Sequence, residues 1–242
     1  MADEQVIEQP KKKHKKLGIV FDIVIIFAAL IALAVAGCLI YQKAYLSPFW
    51  VNGQSMYPTL NQKAKLSNGN LIGENGGSVD EGSSMVDYGV MDTHERALKG
   101  IKRFDIVVCK YPFDDNSDKI KRVIGLPGET IKFTNTGAGN EHNGDLYVKT
   151  DGEFKFIAQP EELNPYVVKG TNYPDEVTLG ENQYYVLGDN RAHSKDSRAV
   201  GPINYDNLVG KVIALCAYCD IKRNDQGQLE PTNIYHYAPR FF

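Results

Sequence analysis

Residues 23–41 run Ile-Val-Ile-Ile-Phe-Ala-Ala-Leu-Ile-Ala-Leu-Ala-Val-Ala-Gly-Cys-Leu-Ile-Tyr without a charge. That length is close to the ~20 residues a helix needs to cross the hydrocarbon core at ~1.5 Å per residue, and we read 17–41 as a transmembrane helix. Residues 11–16, Lys-Lys-Lys-His-Lys-Lys, make the preceding 1–16 segment a basic tail. The positive-inside rule keeps such a tail cytoplasmic, which sends residues 42–242 to the extracytoplasmic side. Asp22 sits at the inner edge, where it stays hydrated. The apolar run exceeds the ~7–15 residues of a signal core, and Leu39-Ile40-Tyr41 continues it, so we read it as retained. Val35-Ala36-Gly37-Cys38 has the residue types of a lipid-attachment site at Cys38, but small residues in a spanning helix account for it.

Beyond the helix the hydrophobic pattern changes period. Tyr45, Leu46, Phe49 and Trp50 suit a membrane interface. Ser55 follows the span by a short segment that reaches at most about 50 Å when extended. Residues 67–89 are rich in Gly, Ser, Asn and Asp, and we read 67–100 as a flexible loop. Short β-branched or aromatic runs then recur at Phe104–Cys109, Ile120–Ile124, Thr130–Phe133, Leu146–Lys149, Phe154–Ile157, Tyr184–Leu187 and Val212–Tyr218, separated by Gly, Pro, Asn and Asp. The fold class expected is mostly β: one N-terminal transmembrane helix, then an extracytoplasmic antiparallel β-sheet domain at 42–242, with a small β insertion at about 132–182.

Composition narrows the function. About 200 residues remain outside the helix, enough for one well-buried domain. A net charge of −3 offers no basic face for nucleic acid. Four cysteines, Cys38, Cys109, Cys216 and Cys219, are too few for a disulfide scaffold. Cys216 and Cys219 have redox or half-zinc spacing but no second pair, and on a strand residues three apart face opposite sides. Asp114-Asp115-Asn116-Ser117-Asp118 fails the calcium-loop register, which requires Gly at position six and Glu at twelve where this chain has Lys119 and Gly125. No metal and no cofactor are expected.

Several serine-enzyme patterns are excluded. Gly53-Gln54-Ser55-Met56-Tyr57 lacks the second Gly of a nucleophile elbow, and Pro58 removes a Ser-x-x-Lys motif. His94, His142, His193 and His236 lie in no context that favours a Ser-His-Asp triad. Three dense islands remain: Val51–Leu60 with Ser55-Met56-Tyr57-Pro58-Thr59-Leu60, Ile120–Glu129 with Lys121-Arg122-Val123-Ile124-Gly125-Leu126-Pro127-Gly128, and Gly188–Gly201, which opens Gly188-Asp189-Asn190-Arg191.

In that order, behind that helix, the islands resemble bacterial type I signal peptidases, over about residues 11–213. The resemblance implies a single-pass serine endopeptidase with Ser55 as nucleophile and Lys121 as general base. It implies Ser194 as the residue that hydrogen-bonds the base, and Asp189, Asp196 and Arg198 as charged braces, with Arg122 the partner of Asp189. The partners implied are signal-peptide-bearing precursors and the lipid bilayer, and small residues are expected at the cleavage point. The chemistry is coherent. A serine hydroxyl needs its proton removed, and an amine can do that only when neutral. Burial lowers a lysine pKa from its usual ~10.4. Alternation on a strand turns Arg122 away from Lys121.

Three departures stand out. Some family members place a hydroxyl two residues before the nucleophile; here Gly53 leaves the oxyanion to the backbone N–H of Ser55. The family's Arg-Gly-Asp is Arg103-Phe104-Asp105 here, which puts the local turn in doubt. The tail from Cys216 to Phe242 is longer than the family leads one to expect. Two alternatives remain open: a relative processing one dedicated secreted substrate, and a non-catalytic membrane-anchored peptide-binding β domain.

Overall fold

Helix α1 spans Lys13–Tyr45 in a computed structural model that describes residues 13–75, 77–111, 117–134, 144–160 and 173–242. Its stretch Phe21–Tyr45, 25 residues, is long and apolar enough to cross a bilayer. It is apolar all round and its side chains are exposed all round, as for a helix whose solvent is lipid. The helix runs four residues beyond the 17–41 expected, because Gln42 and Lys43 are good helix formers. The next chain carries Pro48, which cannot continue a helix. Lys11 and Lys12 of the basic cluster lie outside the described residues.

From Leu46 the chain is a separate compact unit. Its strands are β1 (Leu46–Trp50), β2 (Val86–Asp92), β3 (Ile106–Lys110), β4 (Asp118–Gly125), β5 (Thr130–Phe133), β6 (Leu146–Thr150), β7 (Glu153–Ile157), β8 (Glu176–Thr178), β9 (Gln183–Leu187), β10 (Ile203–Asn204), β11 (Leu208–Arg223) and β12 (Leu229–Phe241). The main sheet runs β1-β2-β11-β3-β4-β9-β10, with β12 also paired to β11. A four-stranded sheet, β7-β6-β5-β8, is built from residues 130–178. All pairings are antiparallel. Alternation along β11 sends Cys216 and Cys219 to opposite faces, the first half-buried and the second buried.

The reading of 67–100 as a flexible loop is corrected. Residues 86–92 form β2, which lies between β1 and β11 and is mostly buried. Asp87, Gly89 and Asp92 hid it, since such residues are depleted in strands. Gly89 is there because β11 passes too close for a side chain: a Cβ would lie 2.5 Å from the Ala214 carbonyl. The Gly/Ser-rich part before it is tied to the sheet through Val79 N–H to Asn52 O (2.7 Å) and Gly82 N–H to Ile221 O (2.9 Å). Apolar clusters fill both faces. One of them, with Val51, Met56, Leu60, Ile106, Val108 and Leu215, seats the first island on the sheet.

Candidate active site

The first island is a loop anchored by its own apolar side chains. Met56 and Leu60 are buried, and Leu60 N–H donates to Met56 O (2.9 Å), closing one helical turn after Ser55. The island's position facing β4 follows from that anchoring. Lys121 is 3% exposed, and its Nζ lies 2.8 Å from Ser55 Oγ and 2.9 Å from Ile120 O. Burial is the main influence on the amine and lowers its pKa from 10.5 to about 8; Asp196 and Asp189 pull the other way without cancelling it. The neighbouring Cys109, pushed up to about 12 by burial, stays a neutral thiol.

Arg122, next on β4, points to the opposite face. Its Nε and Nη2 donate to the two carboxylate oxygens of Asp189 at 2.9 and 2.7 Å, and its Nη1 donates to Phe104 O at 2.9 Å. Asp189 is wholly buried, so this bidentate pair joins β4 to the third island in the interior. Phe104 takes up the turn that Arg103-Phe104-Asp105 had left in doubt. It adopts φ +72°, where glycine is favoured, and its N–H donates to Val123 O at 2.7 Å.

The third island is stitched to the first by Asn190. Its N–H donates to Ser55 O (3.0 Å) and its Nδ2 to Gln54 O (3.3 Å). Gly188 permits the approach, because a Cβ there would come within 2.5 Å of Ser55 O and 2.2 Å of Ser194 Oγ. Asp196 accepts from Gly188 N–H (3.0 Å) and from Arg198 Nε (2.8 Å) and Nη2 (2.9 Å). Burial alone would raise its carboxyl; Arg198's hydrogen bonds and charge outweigh that and hold it below the usual carboxylate range.

The resemblance implies that Ser194 hydrogen-bonds the Lys121 amine; among the described residues the amine's hydrogen bonds run to Ser55 and Ile120. The Ser194 hydroxyl packs on Gly188 beside the Asp196 carboxylate, which it helps to keep ionised. The amine is directed instead by the Ile120 carbonyl, on the same strand and one residue back. The reason is local: Arg198 holds the carbonyls of Arg191 (2.7 Å) and Ser194 (3.4 Å), which fixes the backbone that carries the hydroxyl. Ile120, whose side chain alone the sequence recommends as apolar bulk beside Lys121, joins the site through its carbonyl, and Asn190 and Gly188 join it from within the third island. Asn190 had a signal, as an amide able to bridge two chains; Ile120 had none, since its contribution is a carbonyl.

Ser55 and Lys121 open on a cleft of about 710 Å³. The first island and β1 form one wall, residues 117–121 another, and Gly77 and Ser78 reach in beside Gly53. A shallow trough of mixed polarity with a hydroxyl and a buried amine at its floor can hold an extended chain and perform acyl transfer on it.

Comparisons with known proteins point to one family. The family model described as "Signal peptidase, peptidase S26" matches residues 22–217. Signal peptidase IB of Staphylococcus aureus is 29% identical over 196 residues, covering 76% of this chain and 85% of that protein. Signal peptidase I V of Bacillus subtilis is 39% identical over 126 residues, covering 48% of this chain and 66% of its own. A crystal structure of a signal peptidase I from Enterococcus faecalis is 30% identical, with a TM-score of 0.34 over 46% of this chain and 95% of that one.

Proposed function

We propose, from the premise that this chain belongs to the signal peptidases of family S26, that Ser55 is its nucleophile and Lys121 its general base. The chain is a membrane-bound serine endopeptidase that cleaves N-terminal signal peptides from exported proteins. The observation that carries the residue assignment is the 2.8 Å contact between Lys121 Nζ and Ser55 Oγ at an amine whose pKa burial lowers to about 8.

In the charged state Nζ donates to Oγ and nothing can happen. Once the amine has lost its proton, the direction reverses and the hydroxyl donates to the nitrogen lone pair. Oγ then attacks the scissile carbonyl carbon as its proton passes to Nζ. The carbonyl oxygen gains the negative charge and accepts a hydrogen bond that the backbone N–H of Ser55 donates; no side chain at Gly53 assists. The new ammonium returns the proton to the leaving amine as the C–N bond breaks, leaving an ester on Ser55. A water activated by the same neutral amine then hydrolyses the ester. Ile120 O keeps Nζ aimed at Oγ throughout. Arg122–Asp189 and Asp196–Arg198 hold the three islands in register.

The basic segment at 11–16 favours a cytoplasmic N-terminus and an extracytoplasmic active site, acting on precursors at the bilayer surface. The test is precursor processing in detergent by the Ser55→Ala and Lys121→Ala chains. Both should be inactive while folded, and cleavage by either at a normal rate overturns the assignment. A serine-directed covalent probe should label Ser55 in the unaltered chain and nothing in Ser55→Ala.

A further inference from the structure

The run before the nucleophile is pinned more tightly than packing requires. Each of the five consecutive carbonyls from Val51 to Ser55 accepts a hydrogen bond. Asn52 O takes Val79 N–H (2.7 Å), Gln54 O takes Tyr57 N–H (2.9 Å) and Asn190 Nδ2, and Ser55 O takes Asn190 N–H (3.0 Å). The remaining two, Val51 O and Gly53 O, are both held by one amide, Asn61 Nδ2, at 2.7 and 3.2 Å.

Asn61 is unusual in its own right. It is wholly buried and adopts φ +60°, a conformation that asparagine tolerates better than most residues. Its Oδ1 accepts from Asp87 N–H (2.9 Å), and its own N–H donates to Asp87 Oδ2 (2.6 Å). Asp87 in turn accepts Val51 N–H on its carbonyl (3.0 Å). A second strut reaches the far end of the same loop: Arg240, on β12, donates through Nη2 to Thr59 O. β12 lies beyond the residues that the family model matches.

Gly53 gives this arrangement its point. It has the widest backbone freedom of any residue and stands two positions before the nucleophile. The oxyanion donor is a backbone N–H, so its aim depends on how still the preceding peptides are. We propose that Asn61 is a positioning residue for catalysis: by holding Val51 O and Gly53 O it fixes the peptides leading to Ser55, with Arg240 steadying the loop at Thr59. Neither touches substrate. The proposal rests on Ser55 being the nucleophile.

The experiment uses the full chain in detergent and three variants: Asn61→Gly, which keeps the positive φ and removes the amide, Arg240→Met, and Ser55→Ala as reference. Turnover is measured per active molecule, counted with a serine-directed titrant, alongside KM and Tm. Small displacements remote from chemistry can cost about a hundredfold in rate, so kcat per active site should fall about 10- to 100-fold in Asn61→Gly and severalfold in Arg240→Met, with KM within about twofold. Adding Gly53→Ser to Asn61→Gly should recover part of kcat by supplying a second donor. A merely structural role would lower Tm and the active fraction but leave kcat per active site unchanged, and that result overturns the proposal, as does a change confined to KM. Should Asn61→Gly fail to fold, Arg240→Met decides alone, with unchanged kcat as the overturning result. Activity in Ser55→Ala would instead overturn the nucleophile assignment, so the two failures are distinguishable.

Discussion

Lys121 Nζ stands 2.8 Å from Ser55 Oγ, and the residue beside it on β4, Arg122, turns the other way to grip Asp189. One strand thus delivers a base to the cleft and an ion pair to the interior, each on its own face. The ion pair is surrounded by protein on all sides; the base is buried yet opens on the cleft.

The pH dependence follows from the base. With the amine at about 8, turnover should rise with pH through 7–9 with a midpoint near 8 and level off above it. Below the midpoint kcat should drop about tenfold per unit as the ammonium takes over. A pH–rate series on a single precursor measures this, and a rate that fell between pH 6 and 8 would exclude a neutral amine.

The same burial makes Lys121 costly to the fold. Its folded pKa lies below its unfolded one, so between about 8 and 10.5 the unfolded chain binds more protons and stability rises with pH. At pH 7 the full penalty is present, about 3 kcal/mol from the 10.5-to-8 shift at ~1.36 kcal/mol per unit. Lys121→Met should therefore abolish processing yet raise Tm at pH 7, with the gain shrinking toward pH 10. Thermal melts at the two pH values test it.

Breaking the Arg122–Asp189 pair is expected to be severe. Both side chains are within 5% of full burial, so Asp189→Asn or Arg122→Gln strands a buried charge and should cost about 3–5 kcal/mol. Denaturation midpoints read the loss, and an effect below about 1 kcal/mol would mean that water reaches the pair.

Ser194→Ala and Gly53→Ser probe the two places where this chain departs from expectation. Because Ile120 O already directs the amine, Ser194→Ala should keep clearly measurable kcat, far above that of Ser55→Ala. At Gly53 the nearest atom to an added Cβ is Gly77 O at 4.0 Å, so a serine fits without displacement. Its hydroxyl should raise kcat severalfold by joining the Ser55 N–H. A drop in kcat on Gly53→Ser would show that the oxyanion sits elsewhere.

Much of this was legible in the order of residues. The strands at 106–110, 118–125, 130–133, 146–150, 153–157 and 183–187 all carry β-branched or aromatic runs, and the uncharged run of α1 needs no context. Motifs supplied Ser55, Lys121 and Asp189. What stayed hidden owes its form to neighbours. β2 is a strand in spite of Asp87 and Gly89, because β1 and β11 pair with it on both edges. β12 carries Pro231 and Pro239, which only a strand paired on one side can accommodate. Ile120 and Asn61 act through a carbonyl and through a buried amide, and neither leaves a mark on local pattern.

The contact between Arg240 and Thr59 spans 181 residues of chain. A polypeptide emerging from the ribosome meets its own sequence in order, so Ser55 and Lys121 are made long before the arginine that steadies their loop. Contacts of such long range close late. Nascent chains stopped short of residue 240 would hold Ser55 and Lys121 and still lack the strut, so on this proposal full turnover, severalfold above that of the unbraced loop, comes only with β12.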